Sequence, residues 1–510
     1  MLSKNYILVH DIGTSGNKAA LFSVEGKLVA SMVVPYDAHY YNDTWVEQDA
    51  DDWWNAVCVS SRQLIEKTKI DPREIAAISF SGQMMGCLCV DREGKPLRPS
   101  MIWADQRSRK QSAAIEEKMS QWNFYHIVGH RNTASYGIQK LMWVRDNEPE
   151  IYEQTYKTLN SKDYITLKLT GNFCTDYSDG NSNGCFDLNK MDWSEEILEC
   201  AGISPDKLPD LHPSTFVAGK VTSQASVATG LAEGTPVVVG GGDGVTASIG
   251  AGSIEPGKTY CCMGTSAWIT TASEKPIFDD QMRTVTWAHI VPGLYAPNGT
   301  MQYAGGAYSW VKNTICRMEG YQAKQNGKSP YDYMNKQIAE SSVGSNGIIF
   351  LPYMLGERAP RWDPDAKGAW IGLKPENTRG DLLRSVLEGV TMNLDIILEI
   401  LKKQTDIPEI TVLGGGAKGQ VWRQIMADIF NTRIIVPNVL EEAGAMGAAV
   451  TAGVGVGIYK DFHAIDSFIE RQYIVEPDPE AATAYVPVKE IFNDSYYSLG
   501  KVFEKMSKHV

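Results

Sequence analysis

The sequence has no closely spaced cysteine motif, no long apolar run and no surplus of basic residues, and each absence excludes a class of protein. The nine cysteines form close pairs only at Cys87/Cys89 and Cys261/Cys262, which predicts reduced thiols in a cytoplasmic protein and no zinc site. No apolar stretch approaches the roughly 20 residues of a membrane span, and Met1–His10 is too short and too polar for a signal peptide. A net charge of −13 disfavours nucleic acid and anionic membranes as partners, because both need basic surface.

Two common nucleotide-binding motifs are absent or incomplete. No Gly-x-x-x-x-Gly-Lys-Ser/Thr occurs, which excludes a P-loop kinase. Gly414, Gly416 and Gly419 match Gly-x-Gly-x-x-Gly between a strand and a helix. The next predicted strand, Arg433–Val436, ends in Pro437-Asn438 and lacks the acid that binds the ribose of NAD. A glycine turn under an adenosine is therefore favoured, with an NAD site as the weaker alternative.

A literal match to the serine-hydrolase motif lies in a polar region. Gly180-Asn181-Ser182-Asn183-Gly184 reads Gly-x-Ser-x-Gly, but we find neither the strand before it nor the helix after it that the hydrolase elbow requires. The surrounding segment, Thr170–Leu188, is rich in Gly, Asn, Ser and Asp, and we interpret it as an irregular surface region. A serine hydrolase is disfavoured.

The stretch Val237–Gly250 carries the first candidate catalytic residue. A β-branched run, Val237–Val239, stops at three glycines, and Asp243 follows them before a segment of small residues. Glycines let the backbone bend and let a ligand approach closely. The pattern predicts a carboxylate on a strand-to-helix turn, suited to a general base; a helix-capping or turn aspartate is the alternative.

Two similar turns suggest a duplicated architecture in a chain that is too long for a single core. Gly13-Thr14-Ser15 follows the predicted strand Tyr6–His10, and Gly264-Thr265-Ser266 follows the predicted strand Lys258–Met263. Glycine and hydroxyl groups in such turns can bind a phosphate, although an ordinary hairpin loop is the alternative.

A third cluster places an indole and polar groups close together. Trp103, Asp105, Gln106 and Arg107 follow a predicted strand end. They suit a polyhydroxy ligand, and a solvated loop is the alternative. Regular elements are also predicted by apolar periodicity, including helices over Asp49–Lys67, Arg379–Lys403, Gln420–Phe430 and Glu441–Ala452 and the strand Glu409–Leu413.

Together these motifs resemble the FGGY family of carbohydrate kinases, most closely its xylulokinase branch, over nearly the whole chain. Gly137 departs from the Pro, Ser or Thr usual in the first family signature. The matching segments are Asp11–Lys18, Trp45–Asp49 with Trp53-Trp54, Lys140–Asn147, Phe350–Pro360 and Gly368–Glu388.

The resemblance implies an α/β protein with a two-domain actin/hexokinase-like (ribonuclease H-like) fold and a central cleft. Residues 1–253 would bind the sugar and residues 254–510 the nucleotide, with the terminal helices free to pack back on the first domain. ATP and Mg²⁺ would be the cofactors and a small sugar the substrate. A homodimer is a possible oligomeric state. A non-catalytic sugar or nucleotide sensor and an actin- or Hsp70-like ATPase are the alternatives from other classes.

The resemblance also implies roles for individual residues. Asp243 would accept the proton of the sugar hydroxyl, and Asp11 and Asp243 would hold Mg²⁺, directly or through water. The residues expected to bind ATP are Gly13, Thr14, Ser15, Lys18, Gly264, Thr265, Ser266, Gly415, Gly416, Ala417 and Gln420. The residues expected to bind the sugar are Met84, Met85, Trp103, Asp105, Asp243 and Gly244.

Two positions bear on which sugar is used. The first expectation from the resemblance is a pentulose. Xylulokinases commonly carry His where this chain has Met85 and Asn where it has Gly244. Losing two polar partners predicts that D-xylulose is secondary to another ketose, polyol or sugar acid, such as L-xylulose, ribulose, fuculose, gluconate or erythritol.

Overall fold

Two seven-stranded sheets form the centres of the two halves of the molecule. The structure, a computed structural model, describes residues 4–42, 44–438 and 440–509. The first sheet contains β1 (Tyr6–Ile12), β2 (Gly16–Ser23), β3 (Leu28–Pro35), β4 (Ile75–Gly82), β5 (Val217–Lys220), β6 (Pro236–Val238) and β7 (Gly241–Gly242). The second contains β8 (Thr259–Met263), β9 (Ala267–Thr271), β10 (Val285–Ala288), β11 (Tyr295–Met301), β12 (Glu409–Leu413), β13 (Arg433–Pro437) and β14 (Arg471–Val475).

The two sheets repeat one pattern of strand order and direction. β1 pairs antiparallel with β2 and parallel with β4, and β8 likewise pairs antiparallel with β9 and parallel with β12. Farther out, β4 is followed by parallel β6 and antiparallel β5, as β12 is followed by parallel β13 and antiparallel β14. The duplicated architecture predicted from the two glycine-hydroxyl turns is therefore confirmed.

Helices cover the sheets and build the outer parts of each half. They are α1 (Ala50–Thr68), α2 (Arg109–Glu116), α3 (Gln121–Val128), α4 (Gly137–Asn147), α5 (Pro149–Gln154), α6 (Ser161–Thr170), α7 (Tyr177–Asn181), α8 (Glu195–Ala201), α9 (Ser223–Thr229), α10 (Asp243–Gly250), α11 (Gly305–Thr314), α12 (Arg317–Asn326), α13 (Pro330–Ala339), α14 (Arg379–Lys402), α15 (Gln420–Phe430), α16 (Ala443–Gly455) and α17 (Pro479–His509). Shorter strands lie at His39–Tyr41, Trp45–Gln48, Leu88–Val90, Ser100–Met101, Lys157–Leu159, Cys174–Asp176, Phe186–Asp187, Asp192–Trp193, Asp210–His212, Ile349–Pro352 and Gly368–Ile371. None of the helices in the described part of the chain is both long and apolar enough to cross a bilayer.

Small residues let α10 and α16 pack with their backbones close together. A side chain at Gly447 of α16 would collide with the carbonyl of Thr246 in α10, and one at Gly250 of α10 would collide with the carbonyl of Ala443. Helix α16 also shares a core with Ile7 and other residues of the first sheet. The glycine- and alanine-rich sequence of α16 thus serves a close contact that fixes α10 over the sheet.

The domain boundary near residue 253 remains a prediction. The C-terminal elements divide between the two halves: α16 packs on the first sheet, whereas α17 buries Tyr485, Phe492 and Phe503 in the core of the second. A cut at residue 253 would therefore separate α16 from the sheet that it covers.

The prediction that Thr170–Leu188 is an irregular surface region is wrong. Apart from its first few residues it is largely buried, and it contains the strand Cys174–Asp176 and helix α7. Its polar side chains bond to each other and to buried Lys162, which pairs with Asp176 at 2.9 Å and with Asp179 at 3.3 Å. Polar composition here reflects a buried hydrogen-bond network and not contact with solvent.

Candidate active site

The two predicted catalytic acids lie on either side of the end of β4. Asp11 of β1 is the register partner of Ser81, and Gly241 of β7 is the partner of Ser81 on the opposite side. Asp243 follows β7 as the first residue of α10. Adjacent strands are about 4.8 Å apart, so both carboxylates stand at one edge of the first sheet.

Asp243 is a helix residue and not the helix cap. The cap position is Gly242, and Asp243 Oδ1 accepts a hydrogen bond from the amide of Gly244 at 2.7 Å. The side chain is open to solvent on one side. Protein surrounds it on the others, and this desolvation, followed by the charge of Asp11, raises the pKa of Asp243 to about 6.

The environment of Asp11 combines opposing effects. Desolvation raises the pKa of this half-buried carboxyl, and the charge of Glu442 adds to the rise, whereas a hydrogen bond from Ser81 and the charge of Lys18 lower it. Lys18 itself pairs with Glu442 at 2.6 Å. An ammonium has three hydrogens, so Lys18 can keep this ion pair and still donate a hydrogen bond to a phosphate.

Both glycine-hydroxyl turns are tight and accessible. The amide of Gly13 donates to the carbonyl of Gly16 at 3.1 Å, and the amide of Gly264 donates to the carbonyl of Ser266 at 2.9 Å. Ser15, Gly264 and Thr265 are exposed. The Thr14 hydroxyl accepts a hydrogen bond from Trp103 Nε1 at 2.9 Å, which joins a predicted phosphate-binding residue to a predicted sugar-binding residue.

The predicted sugar-binding methionines sit on a strained turn after β4. Met85 has a φ of 63°, the left-handed region, and is half-buried. Met84 packs against Gly242, where a side chain would meet its sulfur. A Cβ added at Gly244 would meet no atom of the described residues within 4 Å beyond its chain neighbours and the nearby backbone of α10, so this position leaves open space beside Asp243.

Asp105 is placed differently from the other predicted sugar-binding residues. It is fully buried, and its carboxylate binds Arg107 through Nη2 at 2.6 Å and accepts the amide of Val46 at 2.7 Å. The structure assigns this carboxylate to holding a loop, and a contact with sugar would require the Arg107 pair to break.

The third glycine turn carries the residues predicted to bind adenosine. Gly414 has a φ of 81°, and a side chain at Gly414 or Gly416 would run into Met263 at the end of β8. Gly415 and Gln420 are exposed, whereas Ala417 is buried. The turn packs closely against the end of β8, next to the Gly264 hairpin. Only glycine permits so close a contact.

Sequence reasoning missed the hydroxyls and the aromatic pair that support the two acids. Thr246 Oγ1 donates to Ser81 Oγ at 3.0 Å, and Tyr260 of β8 donates to the carbonyl of Gly244 at 2.6 Å. Trp268 Nε1 bonds the Tyr260 hydroxyl at 2.8 Å. Ser81, one of two serines in the otherwise apolar β4, was the available signal for the first pair; the second pair depends on tertiary contacts.

Two family models match most of the chain. The N-terminal domain of the FGGY family of carbohydrate kinases matches residues 6–250, and the C-terminal domain of that family matches residues 259–456.

Relatives named gluconokinase and relatives named xylulose kinase both match the chain over nearly its full length. The chain is 31% identical to a gluconokinase of Bacillus subtilis (strain 168), over 96% of this chain and 95% of that protein. It is 30% identical to a xylulose kinase of Staphylococcus epidermidis (strain RP62A), over 99% of this chain and 98% of that protein.

A solved structure agrees over nearly the full length. The ligand-bound xylulose kinase of Lactobacillus acidophilus matches with a TM-score of 0.91 and 27% identity, covering 98% of this chain and 99% of that one. The predicted two-domain actin/hexokinase-like α/β fold is thereby confirmed. The chain belongs to the FGGY family of carbohydrate kinases, phosphotransferases that use ATP and act on an alcohol group of a small sugar.

Proposed function

We propose that the protein transfers the γ-phosphoryl group of MgATP to a hydroxyl of a pentulose or a related open-chain sugar, with Asp243 as the general base. The observation that carries this proposal is Asp243 itself: solvent reaches its carboxyl group, and its pKa is raised to about 6 beside Asp11. A base with a pKa near the working pH is ionised yet still able to hold a proton. Phosphoryl transfer otherwise asks the protein chiefly to position groups and offset charge.

Asp11 and Asp243 suit a magnesium ion that arrives with ATP. Magnesium prefers oxygen ligands and is commonly held by one or two carboxylates together with substrate phosphates. No cluster of three or more His, Cys, Asp or Glu side chains that could hold a metal occurs among residues 4–42, 44–438 and 440–509. A metal shared with the nucleotide needs no such cluster. When bound, it would neutralise charge on the transferred phosphoryl group.

The two hairpin turns would bind the phosphates, one from each half of the molecule. Ser15, Gly264 and Thr265 are exposed, and the hydroxyl groups of Ser15 and Thr265 support this placement because they can bond a phosphate. The exposed Gly415 and Gln420 would lie along the adenosine. The sugar would lie near Trp103, Met84 and Met85, next to Asp243.

The acceptor is proposed to be an open-chain ketose other than D-xylulose. Relatives named xylulose kinase support a pentulose. This chain has Met85 and Gly244 where xylulokinases commonly carry His and Asn, and the position beside Gly244 is open space. Two polar side chains that would meet hydroxyls of D-xylulose are therefore missing, and a buried hydroxyl without a partner costs about 1–3 kcal/mol.

A sugar acid is the second candidate, favoured by Arg358. Burial lowers the pKa of this guanidinium, and its Nε is buried without a hydrogen-bond partner among the described residues. Its charge also acts on Tyr136 of the first half, where burial raises the pKa of the phenol and Arg358 lowers it in part. A cationic group between the two halves could pair with the carboxylate of an aldonate, and one relative is named gluconokinase.

The test is kcat/KM for ATP-dependent phosphorylation of D-xylulose, L-xylulose, ribulose, fuculose, gluconate and erythritol. We expect L-xylulose or ribulose to lead and D-xylulose to be secondary. A tenfold or larger lead for D-xylulose would refute the assignment from Met85 and Gly244. If gluconate leads, Arg358→Leu should lower its kcat/KM far more than that of the ketoses, and an equal loss would rule out the carboxylate contact. ATP hydrolysis in the absence of sugar would support the ATPase alternative. Sugar binding without any ATP-dependent phosphorylation would support the sensor alternative.

A further inference from the structure

Lys140 of α4 is a buried lysine whose ammonium group, within the part of the chain that the structure describes, bonds only to backbone. The side chain is fully buried. Its Nζ donates to the carbonyls of Met85 at 2.7 Å, Ile102 at 2.7 Å and Ser135 at 2.6 Å. An ammonium has three hydrogens, so its whole donor capacity is used by three separate chain segments.

The charged groups around Lys140 are already paired with each other. Asp105 favours the ammonium and Arg107 disfavours it, and these two form their own ion pair at 2.6 Å. Burial is the larger effect and lowers the pKa of Lys140 to about 7. Burying a cation without a contacting carboxylate costs free energy. The three hydrogen bonds to carbonyls are the interactions that offset this cost.

The first carbonyl belongs to the strained residue of the proposed sugar site. A left-handed φ of 63° is unfavourable for Met85, which carries a Cβ. Such a conformation persists where its surroundings over-determine it. Met85 is held at both ends, because its amide donates to Ser182 Oγ at 3.0 Å and its carbonyl accepts from Lys140.

The other two carbonyls belong to segments that connect to the Trp103 loop. Ile102 immediately precedes Trp103, whose indole bonds the Thr14 hydroxyl. Ser135 immediately precedes Tyr136, and its hydroxyl accepts a hydrogen bond from Gln106 at 2.6 Å. One ammonium group therefore joins the Met85 turn, the Trp103 loop and the segment that begins α4.

We infer that Lys140 is a positioning residue for the sugar: it fastens three loops around the acceptor pocket and so controls the affinity for sugar without touching it. The inference rests on the proposed sugar site at Met84, Met85 and Trp103. A neutral side chain at position 140 would release the three carbonyls together, and the Met85 turn would relax.

The test compares Lys140→Met with a matched lysine elsewhere. Lys207 Nζ also donates to carbonyls, those of Tyr152 and Thr155, each at 2.8 Å, but this contact lies outside the proposed site. For Lys140→Met we expect the KM for sugar to rise roughly 10- to 100-fold, as for one or two lost anchors. We expect the KM for ATP to stay within about twofold, and Lys140→Arg, which keeps the charge, to recover part of the sugar affinity. Lys207→Met should lower the melting temperature without raising the KM for sugar.

Ser182→Ala keeps the inference testable if Lys140→Met does not fold. It removes the other anchor of Met85 without leaving a buried charge, and it should raise the KM for sugar in the same direction. Equal rises in both KM values, or a sugar KM unchanged in both folded variants, would overturn the inference. Trp103→Ala distinguishes failure of the Lys140 inference from failure of the proposed sugar site. A raised sugar KM for Trp103→Ala alone supports the proposed sugar site and contradicts the role of Lys140. An unchanged sugar KM for Trp103→Ala shows that the site itself is misplaced.

Discussion

Thr246 Oγ1 donates a hydrogen bond to Ser81 Oγ at 3.0 Å and thereby connects the helix that begins with Asp243 to the strand beside Asp11. The Ser81 hydroxyl in turn bonds the Asp11 carboxylate and lowers its pKa. Two hydroxyls thus fix the relative position of the two acids that we propose act in the same phosphoryl transfer. Because the link joins different elements, it resists movement of α10 against the sheet.

Replacing Thr246 by Val keeps the shape of the side chain and removes the link. We expect kcat to fall about fivefold or more, the equivalent of one net hydrogen bond, while both KM values change little. Thr451→Val is the matched control, because among the described residues the buried Thr451 hydroxyl bonds only the carbonyl of Gly447 within α16. A drop in kcat of the same size in both variants would show that loss of helix packing, and not the link, is responsible.

Asp243→Asn tests the proposed base directly. We expect kcat to fall by roughly 10²–10⁴-fold, with ATP binding retained.

In the native protein, log kcat/KM should rise with pH up to about 6, since the pKa of Asp243 is raised to about 6 and only the ionised carboxylate accepts a proton. A raised pKa also means that ionising Asp243 opposes folding as pH increases through that value, so Asp243→Asn should melt no lower than native at pH 7. Near-native turnover in this variant, with the exposed Glu233→Gln as a reference, would remove Asp243 from the base role.

The two hydroxyl turns should respond differently to alanine. Thr265 is exposed at the tip of its hairpin, so Thr265→Ala should raise the KM for MgATP and leave the KM for sugar unchanged. Thr14→Ala should affect both, because the same hydroxyl holds Trp103. Steady-state kinetics with each substrate varied in turn distinguishes these outcomes. A defect confined to sugar in both variants would contradict the proposal that the turns share one triphosphate.

The sequence predicted regular elements and the two-fold repeat well, because both follow from local patterns. The predicted strand Glu409–Leu413 and helix Gln420–Phe430 agree with the structure to the residue. Periodicity and glycine punctuation decide such segments. The position of Asp243 after three glycines was readable in the same way.

What the sequence did not show are contacts that depend on which polar groups meet in three dimensions. Asp105 looks like a ligand-binding acid in a polar loop, but it is buried against Arg107. Thr170–Leu188 looks solvated, but its carboxylates surround Lys162. Composition gives the number of polar groups in a segment, whereas only the fold tells which of them are paired and buried.

Met85 and Gly244 should determine which sugar the protein prefers. Gly244 has open space around the position of a Cβ, so Gly244→Asn should be accommodated without displacing Asp243. Met85→His replaces one side chain by another on a backbone that Ser182 and Lys140 already hold. The double variant restores the two polar groups that xylulokinases commonly carry, and each regained hydrogen bond to a sugar hydroxyl is worth about 1 kcal/mol or more. We therefore expect kcat/KM for D-xylulose to rise by about tenfold or more relative to the native protein, with kcat/KM for the best native substrate unchanged or reduced. The apolar pair Met85→Leu with Gly244→Leu serves as the control, since leucine fills space similar to that of histidine and asparagine without polar groups and should leave D-xylulose a poor substrate. If the polar pair and the apolar pair shift substrate preference alike, pocket shape and not hydrogen bonding determines the choice of sugar at these two positions.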